Sequence, residues 1–446
     1  MKKKQCAETW IQRGLFGIAM AIVLAGCSGN NISEDQSGNG PVPVSNAAVG
    51  DGGVPSFYVW TSTVPSKPGR ILRQQPLDAN LALANSDPAK NIRGLYTSTD
   101  GVNGKTPVAV SGAVYVPKGS PPVGGWPVIA WTHGTVGVAD VCAQSFRQRS
   151  DRDQAYLGTL LAEGYAVVAT DYQGLGTPGP HPYLVPRAEA YDTLDNLRAA
   201  FEALPGVLAN TVVSVGQSQG SAATIATLQY APVYAPEINV VGGVATGVCF
   251  GFAGANPAPQ IPPRAADAGN SVYDMLALVG TGPSVEPGFD ARPYVSDRAL
   301  PLFVASTKEC ITDLDTVQES NGVDESNYLK APQPPDKIDP VLAAISTPVK
   351  GFTLKAPLFT GTGLADTTTP PTSAYTFIST ACTLDATIEW NYYAGLTHNG
   401  TVNGSLVDSL PFIRKVLAGR PVTSNCSALT VPGPTQAPTP GLPFNT

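Results

Sequence analysis

An α/β fold, with a mostly parallel central sheet flanked by helices and one inserted segment, is what three observations predict for this chain. Apolar, β-branched runs of strand length alternate with segments of helical period through most of the sequence. Strand–helix–strand at this spacing demands right-handed crossovers and parallel pairing. The alternation lapses from about Cys249 to Thr347, where prolines, polar turns and short helix-like pieces take over, and then resumes. That lapse reads as an insertion on the sheet.

The chain has 446 residues, enough for one large domain with an insertion or for two domains. It opens with "MKKK" and an apolar run, Leu15 to Ala25, too short to span a bilayer comfortably. The run ends in "LAGC", Leu24 to Cys27, which resembles the lipobox of bacterial lipoproteins. Residues 1–26 are therefore expected to be an export signal and Cys27 to carry lipid. The expected address is the membrane of a bacterium, the outer one if Gram-negative, or the exterior. The departures are a long leading segment and Glu8 within it. Residues 27–56, rich in Gly, Ser, Asn and Pro, read as a flexible tether.

The first core segment, 57–248, carries most of the alternation. Val108 to Pro117 and Trp126 to Thr135 read as strands, the second running into a turn. Gln154 to Gly164 reads as a helix stopped by its glycine, and Tyr165 to Gly176 as a strand entering a glycine-rich loop. Arg187 to Leu204 is an amphipathic helix. Thr211 to Gly216 and Ile238 to Gly247 read as strands, with a helix from Ser218 to Ala231 between them. The insertion, 249–347, includes a helix-like piece at Ser271 to Gly280. The second core segment, 348–428, supplies a strand (Ala356 to Gly363), a helix (Thr372 to Cys382), a strand (Ala386 to Gly395) and a closing helix (Val402 to Gly419). A Pro-rich tail, 429–446, reads as extended. No internal repeat is visible.

Composition narrows the function. Charged residues are only 14% against 43% hydrophobic, the formal charge is −7, and no basic patch follows Lys2 to Lys4. A nucleic-acid partner is not expected. The 46 glycines and 42 prolines are spread along the chain and indicate many pinned loops. After removal of Cys6 with the signal and use of Cys27 for lipid, five cysteines remain: Cys142, Cys249, Cys310, Cys382 and Cys426. Export makes two disulfides and one free thiol the natural arithmetic. No pair has C-x-x-C spacing, so a zinc site is not supported, and no cofactor is expected.

The chemistry centres on "GQSQG", Gly216 to Gly220. A serine hydroxyl is a poor nucleophile until a base takes its proton. A tight turn between a parallel strand and the next helix lifts the serine above the sheet, and small flanking residues avoid backbone clashes. The helix start also aims N–H groups and a positive dipole end at the site. A G-x-S-x-G match is weak by itself; the strand before it and the helix after it give it weight. The chain holds three histidines, His133, His181 and His398, and only His398 follows Ser218. In this architecture the order is serine, acid, histidine, which selects His398 as base. Asp366, in "GTGLADTTTPP", stands after a strand and before that histidine, where a carboxylate can orient the ring. Asp385 is its rival but lies just before the next strand, at the other end of the sheet. The oxyanion hole needs two N–H donors: that of Gln219 and one from Gly134 or Thr135 in "WTHGT". His133 reads as structural. Asp171, Tyr172 and His181, in the loop leaving the next strand, are candidates to brace the pocket.

Together "WTHGT", "DYQGLGTPGPHPYL", "GQSQG", "GLADTTTPP" and "GLTH" resemble the secretory lipase family of α/β-hydrolases. The likeness runs from about Phe57 to Ala428 and includes "KPGRILRQQPL" as the family's N-terminal strand. The resemblance implies an α/β-hydrolase fold with the insertion as a cap, and disulfides Cys142–Cys310 and Cys382–Cys426, leaving Cys249 free. It implies an ester hydrolase, lipase or carboxylesterase, working through Ser218, Asp366 and His398 on ester or lipid substrates; a monomer is expected. One departure is Gln217, where many members carry His or Tyr. Two alternatives stay open: an acyltransferase with the same triad, and a non-catalytic binding lipoprotein on a hydrolase scaffold.

Overall fold

A computed structural model of the chain describes residues 52–250, 271–330, 335–345 and 352–446. The expected signal segment, Cys27 and most of the tether lie outside the described residues. Nine strands are present among the described residues: β1 Ile71–Pro76, β2 Ile92–Thr99, β3 Pro107–Tyr115, β4 Trp126–Thr132, β5 Ala166–Thr170, β6 Leu208–Gln217, β7 Val240–Thr246, β8 Leu358–Gly363 and β9 Ile388–Tyr393. They form one sheet in the order β1-β2-β3-β5-β4-β6-β7-β8-β9. The first three pairings, out to β3–β5, are antiparallel. Every pairing from β5–β4 to β8–β9 is parallel.

The helices of the core are α1 Asp151–Ala162, α2 Pro186–Ala203 and α3 Gln219–Tyr234. α1 starts where Ser150 accepts the Asp153 N–H at 3.2 Å, a side-chain cap, with Asp151 and Asp153 in its first turn. The parallel strands are apolar on both faces because helices cover both. Trp131, Val213, Val215 and Phe359 pack on one side, with Leu157 and Leu160 from α1. Val128, Ala130, Val168 and Val212 pack on the other, with Leu194 and Leu197 from α2. Each such valine, leucine or phenylalanine withdrawn from water contributes about 1.5–3 kcal/mol.

The chain between β7 and β8 is helical where described: α4 Ser271–Leu276, continuing through a π-helical turn into α5 Gly282–Val285, then α6 Leu300–Ser306, α7 Ile311–Asn321 and α8 Pro335–Ile345. It has its own apolar cluster, including Met275, Leu276, Leu302, Phe303 and Leu314, which also takes in Val138 and Tyr183 from core loops. Cys142–Cys310 ties it to the loop after β4. The chain closes with α9 Pro371–Thr383, α10 Gly400–Gly404 and α11 Leu406–Leu417. Among the described residues no helix is long and apolar enough to cross a membrane.

Three features depart from the sequence reading. Strand β2 went unread because its buried positions include Arg93, Thr97 and Ser98, which hide the apolar pattern. The single closing helix is two, parted at Ser405. The Pro-rich tail has no helix or strand beyond the short turn Cys426–Ala428, as extended chain should, yet it returns to the body: Gln436 N–H donates to Leu364 O at 2.7 Å.

Candidate active site

The strand registers bring the carboxyl ends of the central strands to one edge. Thr132 pairs with Gly216, Gln217 with Thr246, and Thr246 with Gly361. Ser218 stands there between β6 and α3 with φ 58° and ψ −123°, a region that side-chain-bearing residues seldom occupy. Its N–H donates to Thr246 O at 3.0 Å, which pins the turn to β7. The neighbouring glycines are required by space. A Cβ on Gly216 would lie 2.1 Å from Gly220 O, and one on Gly220 1.9 Å from Thr132 O. The turn is thus built by close approach of three backbone segments, with Ser218 left half-buried at their crest.

His398 follows β9, and its Nδ1 lies 2.8 Å from Asp366 Oδ2, in the turn after β8. The carboxylate is almost wholly buried and the ring 12% exposed. Thr368 and Thr369 donate their N–H groups to Asp366 Oδ1 at 2.9 and 2.8 Å, and the Thr369 hydroxyl donates to Oδ2 at 2.9 Å. "DTTTPP" is therefore a turn that wraps its own aspartate and leaves Oδ2 facing the ring. A Cβ on Gly247, just past β7, would lie 2.5 Å from His398 Cε1, so the ring rests on the strand end next to the serine turn. Asp385, the rival acid, is exposed in the turn ahead of β9.

A cleft of about 520 Å³ opens above this edge. Gly134, Thr135, Gln217 and Ser218 line it from the core, Tyr273 and Ile311 from the insertion, and Asn399 and Phe444 from the C-terminal part. A Cβ on Gly134 would stand 2.6 Å from Gln217 Oε1 and 3.6 Å from Ser218 Cβ. The HGT loop and the serine turn are thus immediate neighbours, with N–H-bearing backbone on both sides of Ser218.

A secretory lipase family model matches residues 147–254, which include the glycine-rich loop, the serine turn and β7. "Lipase A" from Moesziomyces aphidis is 23% identical over 423 residues, covering 85% of each chain. Lipase A of Candida antarctica in its closed state superposes with a TM-score of 0.57 at 19% identity, over 86% of this chain and 89% of that one. A rice cell wall degrading esterase, LipA from Xanthomonas oryzae, gives 0.58 at 17%, over 79% and 97%. The chain has the α/β-hydrolase fold and is similar to the secretory lipases.

The other two histidines are both buried in the core loops beside this edge. His133 is buried, with Nδ1 2.7 Å from Gly134 O and Nε2 3.3 Å from Asp171 O, and burial lowers its pKa. His181 is buried too, which brings its pKa down to about 3; Nδ1–H donates to Gln173 O at 2.8 Å. Tyr172, at φ 69°, lies between the two rings and donates its hydroxyl to His133 O at 3.2 Å. Asp171 sits below, accepting from Ser145 N–H at 2.8 Å and the Ser111 hydroxyl at 2.7 Å. Thr135 and Tyr183 share a hydroxyl bond of 2.7 Å.

The sequence reading missed what lies under Gln219. Its Nε2 donates to Glu189 Oε1 at 2.8 Å and to His181 Nε2 at 3.0 Å, and Leu184 N–H donates to the same carboxyl oxygen at 3.1 Å. Burial pushes the Glu189 carboxyl up to about 8, and does the same to Asp192 nearby. The available signal was Glu189 and Asp192 on the apolar side of a helix whose acids should face water. The structure brings Cys142 to Cys310 and Cys382 to Cys426 as disulfides; Cys249 is not in one. Among the described residues no group of three or more His, Cys, Asp or Glu side chains is placed to hold a metal.

Proposed function

We propose that this carboxylic ester hydrolase works through an acyl-enzyme, with Ser218 as nucleophile, His398 as general base and Asp366 as its orienting carboxylate. The observation that carries the reading is the 2.8 Å contact of His398 with a buried carboxylate on the sheet edge where Ser218 is held at positive φ. His398 takes the Ser218 proton as Oγ attacks the ester carbonyl, and returns it to the departing alcohol. Water then enters by the same route in reverse and releases the acid. The N–H groups of Gln219 and of Gly134 or Thr135 stabilise the oxyanion of each tetrahedral intermediate. Substrates are lipid or other carboxylic esters, and the insertion acts as a cap over the cleft. His133, Asp171, Tyr172 and His181 act by holding the loops that frame it.

Family and disulfides support an exported protein, since such bridges persist in oxidising compartments. Lipid attachment at Cys27, tethering to a membrane through residues 27–56 and a monomeric state belong to the same proposal. A fluorophosphonate probe should label the wild type at one serine and leave Ser218→Ala unlabelled, with ester hydrolysis lost in parallel. Labelling that persists in Ser218→Ala overturns the mechanism.

A further inference from the structure

The loop that carries His398 bonds to the acid-bearing turn directly, Ala365 N–H donating to Leu396 O at 2.9 Å, and the rest of its backbone finds an unexpected partner. Asn445 Oδ1 accepts the N–H of Thr397, the residue before the histidine, at 2.7 Å. Asn445 Nδ2 donates to Gly395 O at 2.8 Å and to Thr439 O at 2.9 Å. Thr439 N–H donates to the same Gly395 carbonyl at 2.9 Å, and Gly395 N–H donates to Gln436 Oε1 at 2.9 Å. Gln436 N–H reaches the other loop, donating to Leu364 O two residues before Asp366. The tail is thus stitched to the turn that bears the acid and to the loop that bears the base.

The fit is close. A Cβ on Gly395 would lie 1.9 Å from Thr439 Oγ1, and one on Gly400 2.2 Å from Asn445 Oδ1. A primary amide offers an acceptor and two donor hydrogens, and Asn445 uses both kinds. The next residue back, Phe444, sits at φ 58° and lines the cleft that Ser218 lines. A side chain held in that conformation, beside an amide bonded on both ends, is held by its surroundings and not by local preference.

We propose that Asn445 is a positioning residue for His398. With Gln436 it fixes the base-bearing loop, residues 395–398, against the acid-bearing turn, and so sets the geometry of the His398–Asp366 pair. It also presents Phe444 as one wall of the substrate cleft. The proposal rests on His398 being the base. It assigns catalytic importance to a Pro-rich segment whose composition reads as an appendage.

The test uses the full chain and a short p-nitrophenyl ester, with active sites counted by a fluorophosphonate titrant. In Asn445→Ala, turnover per titrated site should fall about ten- to a hundredfold, because misplacement of a reacting group costs rate, with a smaller rise in KM as the Phe444 wall loosens. Hydrogen exchange at the Thr397 amide should quicken. A purely structural role would lower the titratable fraction and leave turnover per site intact. Gln436→Ala, which removes one bond, should show a smaller effect of the same kind. It carries the test if Asn445→Ala does not accumulate folded. Val431→Ala, an exposed change on the same tail, should match wild type. Unchanged turnover per site in Asn445→Ala, or in Gln436→Ala where that variant carries the test, overturns the inference and leaves the mechanism standing. Labelling that survives in Ser218→Ala overturns the mechanism instead.

Discussion

At the serine turn, an added methyl on Gly220 would meet Thr132 O at 1.9 Å, and strand, turn and helix leave no room for another arrangement. On the histidine side the packing is as close, with an added methyl on Gly395 meeting the Thr439 side chain, but the hold is different. His398 follows a strand end, faces a self-wrapped aspartate, and depends on hydrogen bonds from residues some forty positions away. Close packing of backbone is an all-or-none device written within five residues, Gly216 to Gly220. Hydrogen bonding across the chain is adjustable and is written in two distant places. The first should fail by unfolding, the second by losing rate while the fold stays.

The largest expected effect lies on the histidine side. Asp366→Asn keeps an Oδ1 acceptor for the Thr368 and Thr369 N–H groups, so the turn should survive. An amide facing His398 Nδ1 favours the wrong tautomer, and the loss in kcat should be about 10⁴-fold. Steady-state rates with a short ester, beside an unchanged melting midpoint, check both halves. A fall in stability that matches the fall in rate would erase the contrast between the two sides.

The disulfides extend the same contrast. Cys142–Cys310 spans 168 residues and ties the insertion to the loop after β4, on the serine side. Cys382–Cys426 spans 44 and anchors the root of the tail, on the histidine side. Loop-closure entropy puts them on the order of 5 and 4 kcal/mol as upper values. Paired alanine variants should both lose stability in denaturant melts, slightly more for the first. Only Cys382→Ala/Cys426→Ala should also lose turnover per titrated site, since it frees the tail that holds the base loop. Equal turnover in the two would separate the tail from the chemistry. Next in size, Gly220→Ala should cost about 3 kcal/mol or more through overpacking against rigid backbone. It should be read as lost soluble protein before lost rate.

The contrast also explains what could be read in advance. The serine turn, the histidine after it and the aspartate after a strand end are set by local spacing, and the alternation of apolar runs carried the parallel half of the sheet. Strand β2 escaped because it buries Arg93, which pairs with Asp78 at 2.6 Å and donates to Ser145 O at 2.8 Å. A buried polar side chain is satisfied by partners that sequence periodicity does not show. The roles of Asn445 and Gln436 escaped for the same reason, since a single amide in a Pro-rich stretch has no pattern. Gln217, the departure from the family's usual His or Tyr, turns out to face Gly134 with its Oε1 where a larger loop residue would sit.

The smallest expected effect tests the serine side by pH. Glu189, fully buried and bonded to the Gln219 side chain, has its carboxyl pushed up to about 8 by desolvation, from an ordinary value of 4.5. Asp192 faces it from one helical turn away and is raised to about 8 as well, while His181 across the cluster stays neutral. A raised carboxyl means the folded state keeps a proton that the unfolded chain has released. Stability therefore falls as pH rises from about 4.5, and the full cost is reached above about 8. Glu189→Gln keeps an oxygen to accept from Gln219 and from Leu184 N–H and removes the titration. Wild type and variant should melt alike near pH 5. At pH 9 the variant should be more stable by about 1–2 kcal/mol, roughly what a third of the shift is worth. Asp192 leaves part of the slope in place. Parallel stability curves from pH 5 to 9 would mean that Glu189 ionises freely where it stands. The amide under the serine turn would then be held by a charge, and the serine side would answer to pH through its own buried anion.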